Sequence, residues 1–282
     1  MSRPASLMRG VLSTWRSRIS ALLLVIVFAA AVAAPVVSPY RYDQQSLQNA
    51  RKPPSAVHWL GTDELGRDVL ARVMYGARTS LGVACLSISV SVLLGVILGA
   101  VAAYYRGWID WMISSAVDLL WSFPHILLAL MLIAILGPDL FTIILAIAMG
   151  YLAKFTRLTR TQVLGLRSET FIEATRSLGA SDLRVLLRHL LPNSLSAVIV
   201  AGMLGIGDAI VLEATLGFFG LGAQPPTPSW GAMMSSGTGL MFLAPWVIMF
   251  PGLAATVTVV CINLLGDSLL SAFDVRTRER IT

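Results

Sequence analysis

Three carboxylates interrupt stretches of this sequence that are otherwise apolar: Asp118, Asp208 and Glu213. A charge in such surroundings is costly, and where it persists it marks an ion pair, a transport path or a reaction. Two aspartates brought together can share a proton and activate water, so Asp118 and Asp208 are a candidate hydrolytic pair. Lining a polar path and pairing with another subunit are the competing roles, with structural pairing at least as strong a reading for Asp208. Other reactive chemistry is sparse. His58, His125 and His189 lie far apart in sequence with no ligand spacing, and Cys85 and Cys261 sit in apolar runs as small packing residues. Neither a metal site nor a disulfide is implied. No G-x-x-x-x-G-K-S/T occurs, so the chain has no P-loop for ATP.

A different kind of chemistry is written into Thr170–Asn193, TFIEATRSLGASDLRVLLRHLLPN. Thr170 and Glu173 have the spacing of a capping box. Gly179 follows about two turns later and can close the helix in a left-handed conformation. Ser181 offers a second N-cap, with Asp182 suited to the positive helix end. Leu183, Leu186, Leu187 and Leu190 form one apolar stripe at helical spacing, and Pro192 is expected to end or kink the helix. The spacing thus predicts a short capped helix, a glycine hinge and an amphipathic helix. A surface connector accounts for the stripe alone; a docking element for another protein accounts for both helices.

The elements that carry these residues belong in a membrane. The 282-residue chain is 56% hydrophobic and 13% charged, with a mean hydropathy of +0.77, where a soluble domain is nearer a quarter charged. Six apolar runs are long enough to span, at roughly 20 residues each: Ile19–Val37, Thr79–Tyr105, Trp111–Leu136, Leu140–Leu158, Leu195–Gly217 and Trp246–Gly266. The first has basic residues before it and an AVAAP that resembles a signal-peptide cleavage site, but its apolar run is long for one, and it is read as a retained span. Gly95 and Gly99 make a G-x-x-x-G in the second, a pattern that permits close helix approach. Fifteen of the 21 Lys and Arg fall on one side of this arrangement, with both chain termini and the Thr170–Asn193 stretch. That side is expected to be cytoplasmic, and the same bias explains the net charge of +6 without nucleic acid. The expected organisation is an N-terminal tail, first span and extracytoplasmic segment over 1–78, then a five-span core over 79–282, with the cytoplasmic loop at about 159–194.

Five stretches, in order, resemble the permease subunits of ABC importers. Glu173-Ala174-Thr175, three residues, Gly179, nine residues, then His189-Leu190-Leu191-Pro192 is similar to their E-A-A loop, with Thr175 and His189 as departures. HWLGTDELGRDVLARVMYGARTSL (58–81), AYYRGWID (103–110), EATLGFFGLGAQPPTPSWGAMM (213–234) and NLLGDSLLSAFDVRTR (263–278) resemble segments of the C-type dipeptide, oligopeptide and nickel permeases. Arg106, Leu270 and Val275 depart from the usual residues there. The likeness covers nearly all of the chain beyond its first 18 residues.

The resemblance implies an all-α integral membrane protein of the type I importer permease fold, with six spans and cytoplasmic termini, in the inner (cytoplasmic) membrane. It implies a homologous second permease, two ATPase subunits or one fused ATPase, an extracytoplasmic binding protein and a peptide cargo. ATP and Mg would be bound by the ATPases, with no cofactor in this chain. Glu173, Ala174, Gly179, Ala180, Leu183, Leu191 and Pro192 would form the coupling joint with an ATPase. Pro225, Pro226, Pro228 and Trp230 would lie at the outer mouth, where the binding protein docks or where the chain simply turns tightly. One rival remains. Gly205-Ile206-Gly207-Asp208 fits the G-x-G-D signature of intramembrane aspartyl proteases, with Asp118 as its partner. That reading leaves the coupling loop unexplained, and Asp118 lacks the preceding Tyr of those enzymes.

Overall fold

The computed structural model describes residues 10–278, and nearly all of its regular structure is helical. Among the described residues, five helices are long and apolar enough to cross a membrane. They are α1 (Trp15–Val37), α2 (Val69–Tyr105), α5 (Leu140–Arg167), α7 (Asp182–Phe218) and α9 (Trp246–Arg278). α3 (Gly107–Trp121) and α4 (His125–Leu136) together have the length and apolar character of a sixth, broken span, and meet at 90°. The sequence suggests one straight span there. The chain instead leaves the helix at Pro124, whose ψ of 134° is extended; proline also lacks the N–H that a continuing helix needs.

Helix α2 begins at Val69 rather than Thr79 because Asp68 caps it, Oδ1 accepting from the Ala71 N–H at 2.8 Å. The expected boundary at 78/79 therefore falls inside a helix. The segment before it is tied to the core as well: the Trp246 indole donates to the Thr62 carbonyl at 3.0 Å. Gly95 and Gly99 do what their spacing allows. A Cβ on Gly95 would stand 2.6 Å from the Phe155 Cβ, and one on Gly99 2.5 Å from the Thr156 carbonyl oxygen. Only bare backbone lets α2 and α5 approach so closely. Ile88, Ile133, Ile147, Phe155 and Ile210 fill the core around that seam.

The connection between α7 and α9 contains a further helix, α8 (Trp230–Gly237), capped by Ser229. Trp230 is fully buried; its indole donates to the Val73 carbonyl at 3.1 Å and its backbone N–H to Ser80 Oγ at 3.2 Å.

The Thr170–Asn193 region forms α6 (Thr170–Ser177) and the start of α7. Thr170 is the first helical residue rather than the cap; the Glu169 carbonyl accepts from the Ile172 and Glu173 N–H groups. Gly179 adopts φ +82°, and the Ala180 N–H closes on the Thr175 carbonyl at 3.3 Å, the long bond of a Schellman ending. Ser181 holds the N-cap position without a side-chain bond. Pro192 does not break the helix. The chain winds as a π-helix over Leu186–Leu190, which absorbs the missing donor. This wider winding also splits the expected leucine stripe: Leu186 and Leu190 are buried, with Val185, while Leu183 and Leu187 are exposed.

Candidate functional site: a charged face and an exposed loop

Helix α5 presents Lys154, Arg157 and Arg160 three residues apart, about 4.5 Å of rise per step, and each meets an aspartate from another helix. Arg160 holds Asp110 of α3 through two bonds of 2.6 Å, Nε to Oδ1 and Nη2 to Oδ2. Arg157 Nη2 reaches Asp118 Oδ1, also on α3, at 2.5 Å. Lys154 Nζ stands 3.6 Å from Asp208 Oδ2 on α7. Aromatic rings connect the upper rungs. The Arg157 guanidinium lies 4.8 Å from the Trp121 ring centroid, Trp121 meets His125 edge-on at 5.9 Å, and His125 stacks on Tyr151 at 5.2 Å. Trp121 and His125 flank the α3–α4 bend, which turns them toward Arg157 and Tyr151 of α5.

The rungs differ in kind. The lowest is bidentate, and Asp110 has only 17% of its side chain exposed. The highest is a single long contact with Lys154 34% and Asp208 53% exposed. It borders a cleft of about 650 Å³ lined also by Trp121, His125, Tyr151 and Thr215. Exposed charges at this depth do not face hydrocarbon; they face water or protein. The outer faces of α1, with exposed Leu22, Val25, Phe28 and Val32, are suited to lipid.

Of the three carboxylates singled out in the sequence, Asp118 and Asp208 thus belong to this face, each with its own cation. A proton-sharing dyad needs the two aspartates on each other, so the hydrolytic reading has no geometric support. Glu213 lies elsewhere: it is buried in the core near Ser80 and Ser229, neither of which closes an ordinary hydrogen bond on it. Lys154, Arg157 and Arg160 were not singled out in the sequence. Their i, i+3 spacing, with three aspartates in neighbouring spans, was the available signal. Among the described residues, no three His, Cys, Asp or Glu side chains converge as a metal site.

At the basic end, Ile172, Val185, Leu186 and Leu190 pack with Ala100, Ala103 and Val163 beneath the loop. On its other side Glu173, Ala174 and Gly179 are exposed, as are Phe171, Leu178, Leu183 and Leu187. Ala180 and Leu191 are partly buried against the underlying cluster, and Pro192 is exposed. No atom lies within 4 Å of a Cβ added at Gly179, so its backbone conformation alone calls for glycine. At the opposite end Pro225 and Pro226 are exposed, whereas Pro228 and Trp230 are buried and form no part of the outer surface.

The helical bundle carries a paired-charge face and, at one end, a polar helix pair, and comparison with known proteins gives its class. Residues 91–279 match the model of the binding-protein-dependent transport system inner membrane component, and residues 16–54 match the N-terminal transmembrane domain of oligopeptide transport permease C. The chain belongs to this family of ABC importer permeases, multi-span subunits of the inner membrane whose ATPase activity resides in separate chains. It is 42% identical to the dipeptide transport system permease protein of Alkalihalophilus pseudofirmus, over 88% of this chain and 82% of that one. It is 42% identical to the glutathione transport system permease protein of Escherichia coli, over 90% and 84%. The methionine ABC transporter MetNI in an inward-facing form shares the fold, with a TM-score of 0.59 over 70% of this chain and 93% of that one, at 20% identity.

Proposed function

We propose that this permease carries short peptides, glutathione among them, across the cytoplasmic membrane, and that Thr170–Asn193 is its joint with an ATPase. The observation that carries the joint is the loop's two-sidedness. Its underside is packed, while Leu178 beside Gly179 is 89% exposed, and Phe171, Leu183 and Leu187 of the same loop are exposed too. An apolar row on a firm base is suited to a protein groove. Glu173, Ala174, Gly179, Ala180, Leu183, Leu191 and Pro192 make or support that joint. The cargo reading rests on the dipeptide and glutathione relatives. ATP and Mg are held by the ATPases, a homologous second permease completes the path, and a binding protein docks at the outer end, where Pro225 and Pro226 are available to it.

The test is reconstitution of the whole importer in proteoliposomes, following uptake of dialanine and of glutathione together with phosphate release. Gly179→Val and Glu173→Lys are each expected to abolish uptake stimulated by the binding protein while the permease pair still assembles. Uptake at the unmodified rate in both variants would reduce the loop to a connector. Orientation is checked in whole cells by an impermeant thiol reagent. A cysteine replacing Ser181 is expected to stay unlabelled, and one replacing Gln224 to react; both positions are exposed. Labelling at 181 from outside would reverse the topology.

A further inference from the structure

The unlike rungs on α5 say more than that the face is polar. A pair meant only to hold helices together is best made bidentate and sheltered, as Arg160–Asp110 is. Lys154–Asp208 is neither: it is one contact of 3.6 Å, with no hydrogen bond between the two, at the wall of a 650 Å³ cleft. Pairs so exposed hold little net energy and exchange partners readily. The cleft is open and of a size that takes small ligands. It adjoins an open apolar groove of about 570 Å³ between α7 and α9, the two sharing Val211 and Thr215. An ammonium and a carboxylate side by side, next to an apolar groove, complement a molecule with one charge of each sign and variable side chains. A zwitterionic dipeptide is such a molecule, with ends about 7 Å apart.

Resting on the peptide reading above, we propose that Lys154 and Asp208 form a transit site for zwitterionic cargo. Asp208 takes the α-ammonium and Lys154 the α-carboxylate, the pair opening as the peptide enters and closing behind it. Arg157–Asp118, braced by Trp121, is the next rung toward the basic end and the next acceptor for the carboxylate. Arg160–Asp110 is the fixed rung that holds α5 to α3.

The experiment measures dialanine uptake per phosphate released by the reconstituted importer, normalised to assembled complex. Lys154→Gln and Asp208→Asn are each expected to lower this ratio about tenfold, and Lys154→Arg to retain most of it. Arg160→Gln is expected to lower the amount of assembled complex instead. The decisive variant is the exchange Lys154→Asp with Asp208→Lys, which keeps an ion pair but reverses it. A ratio that stays low in the exchange supports the transit site. A ratio restored by the exchange makes the pair purely structural and overturns the proposal, as does an unchanged ratio in both neutral variants. An unmodified importer that takes up neither dialanine nor glutathione sinks the peptide reading, and this inference with it.

Discussion

The segment before α2 and the loop before α7 lie at opposite ends of the bundle and are built on different plans. The first encloses charge. Asp63 is buried, accepting from the Leu65 and Arg67 N–H groups at 2.9 Å and from Arg67 Nε at 2.6 Å, with Arg72 Nε at 3.5 Å. Beside it, Asp68 caps α2 and takes His58 Nδ1 at 2.9 Å. The second encloses only an apolar underside and leaves Phe171, Leu178, Leu183 and Leu187 uncovered. The first pairs its buried aspartates within the chain, though it too leaves Leu47, Val57 and Trp59 exposed; the second rests its exposed apolar residues on an apolar underside. Polar groups paired inside the chain hold a shape, whereas apolar groups left outside it invite a partner.

Substitutions can break that contrast or sharpen it. The largest effect is expected at Asp63→Ala, which leaves Arg72 buried with only the Tyr42 carbonyl and Arg67 with Glu64 alone. Loss of one partner from such a network costs about 3–5 kcal/mol, and unfolding in mixed micelles should register it. A change under about 1 kcal/mol would mean that the outer segment is as loosely built as the loop. Ser229→Ala removes the cap of α8, whose Oγ accepts from the Ala232 N–H; a loss of about 1 kcal/mol is expected by the same assay. Leu178→Ser should move stability by no more than about 0.5 kcal/mol, since the residue is on the surface. It should nonetheless weaken retention of the ATPase by the purified permease pair. Retention equal to the unmodified pair would remove Leu178 from the interface.

The spans were legible because roughly twenty apolar residues in a row leave few alternatives to a membrane helix. Gly179 was legible because a polar helix followed by glycine has a characteristic ending. The bend at Pro124 was not, because an apolar run reads the same whether it is straight or folded, and one proline inside a span is often tolerated. Pro192 misled in the other direction: sequence records the missing donor but not the π-turn that accommodates it. The leucine stripe was placed by a period of 3.6, which the π-turn locally changes. Asp118 and Asp208 were visible as intramembrane charges, but their partners were not. Which cation meets which aspartate is decided by the seating of α5, and that depends on two glycines in another helix.

That seating has a mechanical side. Helix α2 has 37 residues, about 55 Å of rod. Its first residues stand on the charged outer segment, and its last turns, at Ala100 and Ala103, rest on the cluster under the loop. With Gly95 and Gly99 pressed into α5, the two helices make a single stiff beam that also bears the cationic stripe. A tilt of about 5° imposed at the loop displaces the far end of such a beam by about 5 Å. The leverage resides in the two missing side chains: bulk at either glycine would part the helices and leave α2 to swing without carrying the charges along.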